Sequence, residues 1–171
     1  IESLRDSNIE DLILDLRYNG GGYLDIANEL AYMIAGPNAT SGRTFESQQF
    51  NDKHPSVNPV TGASLVPRSF HNQAQGFSVD RGVLLPYLDL SRVYVLTSGN
   101  TCSASEAIIN GLRGIDVEVI QIGTTTCGKP YGFYEMANCG TSYFSIQFKG
   151  VNAKGYGCLL YTSDAADDSL G

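Results

Sequence analysis

The chain has 171 residues, enough for one substantial core, and its apolar fraction of 42% is that of an ordinary globular domain. A formal charge of −7, milder still without Asp164, Asp167 and Asp168 near the C-terminus, argues against nucleic acid as a partner. The apolar runs are strand-length, far short of the roughly 20 residues that a transmembrane helix needs.

Leu12-Ile13-Leu14-Asp15-Leu16 is a nearly continuous apolar run, the pattern of a short strand covered on both faces. It runs into Arg17-Tyr18-Asn19-Gly20-Gly21-Gly22, after which Leu24, Ala27, Leu30, Ala31 and Ile34 mark a helix closed by Gly36-Pro37. Residues 41–89 are polar and without sustained periodicity, and read as a variable insertion or surface excursion that shapes a cleft. A second strand, loop and helix follow: Val93 to Thr97, the loop to Cys102, and a helix from Ser103 to about Arg113. Its buried face carries Ala104, Ala107, Ile108, Gly111 and Leu112.

A third strand, Val117 to Ile122, leads through Gly123 to a loop bearing Lys129. Tyr143 to Phe148 alternates as a half-buried strand does, and Gly132 to Tyr134 is its expected partner. These elements predict an α/β fold with a largely parallel sheet flanked by helices. In such sheets the ligand site lies at the carboxyl ends of the strands, where all three loops emerge. The segment from Cys158 onward resembles a one-frame translation of a sequencing-library adapter. The expectation is therefore a core fragment over 1–157, truncated at both ends, followed by a non-native 158–171.

Two readings compete at Ser103-Ala104-Ser105-Glu106. It is an S-x-x-E capping box opening a helix, and it also places a serine hydroxyl at a strand-to-helix turn, where helix N–H groups favour an oxyanion. Gly20-Gly21-Gly22 lacks the GK[ST] ending of a phosphate loop; it makes either a tight turn or a stretch of unobstructed N–H donors. Lys129 is a solvated surface lysine or, if burial keeps its amine neutral, a base for the serine. Cys127 and Cys139 either pair across a hairpin, implying an oxidising compartment, or stay free. Cys102 reads as a small packed side chain. With only His54 and His71 beside them, the cysteines have no metal-ligand spacing, and no metal is expected.

Asp15 to Gly22, Thr101 to Glu106 and Thr126-Cys127-Gly128-Lys129 together resemble the three signature blocks of the tail-specific, or C-terminal-processing, serine peptidases. The resemblance covers about residues 9–36 and 91–150 and implies a ClpP/crotonase-like core. It implies Ser103 as nucleophile and Lys129 as general base, with an oxyanion hole from the amides of Ala104 and Gly21, or Gly22. Glu106 would support or orient, and Asn19 and Arg17 would shape the hole. There are departures. Phe133 stands where many members carry a glutamine, and Gly114 where some carry an acid. A tricorn-like branch uses Ser-His-Glu with the histidine upstream, a role for His71 or a residue before Ile1. A PDZ domain often precedes this core.

The resulting expectation is an endopeptidase acting through an acyl-enzyme on a peptide or protein bound in extended form, with no cofactor, and exported. The alternatives are an inactive peptide-binding module, which Phe133 favours, and a crotonase-type acyl-CoA enzyme, whose chemistry would not call for a serine and a lysine in these loops.

Overall fold

The computed structural model describes residues 1–157; the adapter-like segment lies outside the described residues. In chain order the elements are α1 (Glu2–Asp6), β1 (Ile13–Asp15), α2 (Leu24–Thr40), β2 (Thr44–Gln49), β3 (Arg68–Ser69), β4 (Arg92–Thr97), α3 (Ala104–Gly114) and β5 (Glu118–Gly123). Four short strands follow: β6 (Tyr131–Gly132), β7 (Met136–Asn138), β8 (Thr141–Tyr143) and β9 (Phe148–Val151).

Strand β4 is the centre of a parallel sheet ordered β1-β4-β5. Val93, Val95 and Thr97 alternate inward and are buried, and there they meet helices α2 and α3. Ala27, Ala31 and Ile34 from α2, and Ala107, Ile108, Ile109 and Leu112 from α3, join them in one core. Parallel neighbours need such crossovers, since a tight hairpin cannot connect them. The expected α/β architecture of parallel sheet and flanking helices is therefore present.

Several details differ from the sequence reading. β1 is an edge strand among the described residues and Ile13 is 67% exposed, so its apolar run is not covered on both faces. Gly36-Pro37 kinks α2 instead of closing it: Gly36 takes φ 71°, and Pro37 restarts a last turn to Thr40. The segment 143–148 does not form one strand. β8 pairs with β7, while β6 pairs with β9 through Gly132 opposite Phe148. Phe144 and Ile146 are exposed, so their alternation faces no core; Phe144 meets Phe133 edge-on, 5.5 Å between centroids.

A second, antiparallel sheet ordered β3-β2-β9-β6 stands beside the parallel one. Two of its strands come from the segment read as an excursion. Their period was hidden because the β2–β3 register shifts between Thr44 and Glu46, and Phe45 and Glu46 are buried in succession. Phe45 packs edge-on against Phe70 at 5.3 Å. It also lies over Gly111 of α3, where a Cβ would come within 2.5 Å of the ring. The two layers thus meet where α3 carries no side chain. Phe45→Ala is expected to cost about 3–5 kcal/mol in urea unfolding, and Gly111→Ala about 1–3 kcal/mol by overpacking the same contact.

Candidate active site

Ser103 stands at the turn from β4 into α3, and the turn is held from below. Buried Thr101 donates from Oγ1 to the Leu16 carbonyl at 2.8 Å and accepts from the Ser98 N–H at 3.0 Å. Cys102 N–H donates to the Asn19 carbonyl at 3.2 Å. Ser103 itself has φ 57° and ψ −116°, a conformation that non-glycine residues rarely adopt and that persists only where its surroundings impose it. The carboxylate half of the capping box is formed, with Glu106 Oε2 accepting from Ser103 N–H at 2.8 Å. Cap and reactive serine are therefore compatible readings of one segment. Ala104 is the first residue of the helix, where an N–H has no intrahelical acceptor.

The glycine loop packs against this turn. A Cβ on Gly21 would lie 2.8 Å from Ser103 Cβ and 3.1 Å from Ala104 N, and the residue has φ 110°, so only glycine fits. Asn19 fastens the loop: its Oδ1 accepts from Gly21 N–H and from Ser105 Oγ, each at 2.9 Å. The Gly21 amide is thereby engaged, whereas Gly22 lines the cavity beside Ser103. Arg17 pairs with Asp15 at 2.7 Å on the exposed side of the loop, and its carbonyl accepts from Ser98 Oγ.

Glu106 is fully buried and gathers the third loop. Its Oε1 accepts from Thr126 Oγ1 at 2.6 Å and Gly128 N–H at 2.8 Å, and its Oε2 from Lys129 N–H at 2.9 Å. A covalent tie reinforces this. Cys127 is joined to Cys102, with 5.2 Å between their Cα atoms, and not to Cys139 as the hairpin reading had it. The reason is placement: Cys127 N–H donates to the Thr101 carbonyl at 3.0 Å, which sets it beside the serine turn. Cys139, at the exposed β7–β8 turn, is a free thiol. The ligand atoms of Cys102, Glu106 and Cys127 cluster within 4.8 Å, but with the sulfurs bonded to each other and the carboxylate taken by four donors, they offer no metal site.

Ser103 and Lys129 line one cavity of about 210 Å³, together with Gly22, Ala104, Phe148 and β6. Lys129 Nζ lies 5.2 Å from the centre of the Phe133 ring. His71 is not in this cavity; its Nε2 sits 3.1 Å from Asp25 Oδ1, which also binds Arg68 at 2.6 Å. Glu46, which the sequence reading passed over, does line the cavity, at 8% exposure. Burial raises its pKa from an ordinary 4.5 to about 7, with Arg68 pulling the other way.

The sequence profile of peptidase family S41 matches residues 1–135. The chain belongs to that family. Among solved structures it is similar to an S41 protease from Bacteroides fragilis NCTC 9343, with 26% identity and a TM-score of 0.66 over 91% of this chain and 38% of that one. It shares its fold with a photosystem II D1 C-terminal processing protease, at 20% identity and a TM-score of 0.59 over 91% of this chain and 33% of that one. A lipoprotein from Streptococcus agalactiae shares it too, at 16% and 0.60 over 91% of this chain and 50% of that one. The chain spans half or less of each of these structures. No curated protein is significantly similar to it.

Glu106→Ala strands three N–H groups and a hydroxyl and is expected to lower stability by about 3 kcal/mol or more in urea unfolding. Reducing the disulfide should remove a further amount of about 3 kcal/mol. Glu46 behaves oppositely. Its folded pKa is raised, so its contribution is fully present below the unfolded value of 4.5 and is lost as pH rises through about 7. Glu46→Gln should match the wild type near pH 4 and exceed it by up to about 3 kcal/mol above pH 7, as thermal or urea melts across pH would show.

Proposed function

We propose that the protein is a serine peptidase in which Ser103 is the nucleophile and Lys129 the general base. The observation that carries the reading is that the Ser103 turn, a glycine loop and the Lys129 loop converge on one cavity. Ser103 Oγ attacks the scissile carbonyl carbon and its proton passes to Lys129 Nζ. The oxyanion is held by the N–H groups of Ala104 and Gly22, since that of Gly21 is taken by Asn19. Collapse breaks the C–N bond as the proton moves to the leaving amine, and water then hydrolyses the Ser103 ester.

The substrate binds in extended form. Among the described residues strand β6 is an edge of the antiparallel sheet, and it lines the cavity next to Lys129, so a peptide can add there through backbone hydrogen bonds. The Cys102–Cys127 disulfide supports an exported protein. Among the described residues no helix is long and apolar enough to cross a membrane.

One observation favours the second reading, a non-catalytic peptide-binding module: the ring centred 5.2 Å from Lys129 Nζ is that of Phe133, which offers no hydrogen-bond acceptor of the kind that would orient a base. A fluorophosphonate probe separates the two. On the full-length protein it is expected to modify Ser103, and Ser103→Ala and Lys129→Ala should each lower peptide hydrolysis by about 10³-fold or more. Folded protein that resists the probe at every pH would make it a binding module.

A further inference from the structure

The proposed chemistry leaves one buried ionisable group in the cavity unused. Glu46 is 8% exposed, and among the described residues no hydrogen bond or ion pair engages its carboxylate, whose oxygens keep contact with solvent in the cavity and are not sealed from it. Its position is defined by an absence of side chain: a Cβ on Gly150 of β9 would fall 2.5 Å from Oε2 and 2.7 Å from Cδ. The carboxylate thus lies on bare backbone, on the wall of the same cavity that holds Ser103 and Lys129.

Leu24, Ala107 and Phe148 supply apolar wall to this cavity, while on its other side Glu46 borders a second, more polar cavity with Gln48, Asn58, Arg68 and Tyr134. Arg68, its register partner on β3, does not neutralise it by contact, because that guanidinium is bound to Asp25 at 2.6 Å. A buried carboxylate without a partner costs stability, and an apolar residue of similar volume would avoid the cost. A cationic side chain entering from solvent would supply the missing partner. The cavity holds about 210 Å³, the space of about seven waters, which suits one long unbranched chain.

We infer that Glu46 selects lysine or arginine at the substrate residue that supplies the scissile carbonyl. The inference rests on Ser103 being the reactive residue of this cavity. The aliphatic stem of such a side chain packs on Leu24 and Phe148 while its cationic head reaches the carboxylate over Gly150. The titratable groups around Glu46 are Arg68 from β3 and Tyr134, which share the adjoining cavity with it, and Lys129 on the wall of the Ser103 cavity; β9 presents the Gly150 backbone and α3 presents Ala107. Selection therefore strengthens as Glu46 ionises and fades as pH falls below about 7.

Full-length protein carrying Ser103→Ala binds without turning over, so fluorescence anisotropy can compare two peptides that differ only in lysine or norleucine at that residue. At pH 8 the lysine peptide is expected to bind about 30-fold tighter or more. Adding Glu46→Gln should bring the two within about threefold, and Gly150→Ala, which displaces the carboxylate while keeping its charge, should reduce the preference with an unchanged circular dichroism spectrum. Equal binding of the two peptides, or tighter binding of norleucine, overturns the inference with no variant needed. A lysine preference in a protein whose Ser103 resists fluorophosphonate would support cation selection and sink the peptidase reading. Labelling at Ser103 without a lysine preference would do the reverse.

Discussion

The geometry of the site depends on one buried carboxylate. Glu106 receives the N–H of Ser103, the hydroxyl of Thr126 and the N–H groups of Gly128 and Lys129, all between 2.6 and 2.9 Å. The loop that carries Lys129 has no regular structure between Gly123 and Tyr131, so its backbone donors lack ladder partners, and burying them without acceptors would be costly. A side chain with two acceptor oxygens on the first turn of α3 solves that problem and joins the loop to the helix that bears Ser103. Charge-assisted bonds of this kind are about twice as strong as neutral ones. The lysine is thus positioned by its own backbone amide, leaving its side chain free to face the cavity.

The same turn collects the other two constraints. Asn19 binds Ser105 of α3 through both its side-chain and backbone oxygens, at 2.9 and 3.0 Å, and so fixes the glycine loop to the same helix start. The disulfide closes the arrangement from Cys102 to Cys127, covalently joining the residue before the serine to a residue two short of the lysine. Three loops from separate strand ends are therefore held to one helix start, each by contacts that do not involve Ser103 Oγ or Lys129 Nζ. That division lets the anchoring groups be fully satisfied while the groups facing the cavity remain available to a substrate.

What could be read from the sequence follows where the physical signal is local. The strand, loop and helix units around Gly20–Gly22 and Ser103 were legible because their apolar spacing and glycine runs are set by neighbours in the chain. β2 was not, because a register shift places Phe45 and Glu46 both inside and erases the period of two that marks a strand. The alternation from Tyr143 to Phe148 misled for the converse reason: it is real in sequence, but Phe144 and Ile146 have no core to face. The disulfide could not be chosen from spacing, since the contact that brings Cys127 to Cys102 is made by Thr101 and Glu106, distant in sequence. Glu46 was invisible for the same reason as β2.

The two buried glutamates make a contrast that bears on function. Both sit at 8% exposure or less, yet Glu106 is surrounded by donors while Glu46 faces a cavity and the bare backbone of Gly150. Packing does not call for a charge at this position, because a leucine or methionine would fill the volume without a desolvation penalty. Register cannot account for it either, since its cross-strand partner Arg68 is bound to Asp25. A largely buried carboxylate that has no protein partner among the described residues, lowers stability near neutral pH and opens on the cavity of the proposed nucleophile has the properties of a group whose partner arrives with the substrate. In the anchoring shell electrostatics are complete before binding, and in the cavity they are left incomplete, which is how a rigid site can remain selective for charge.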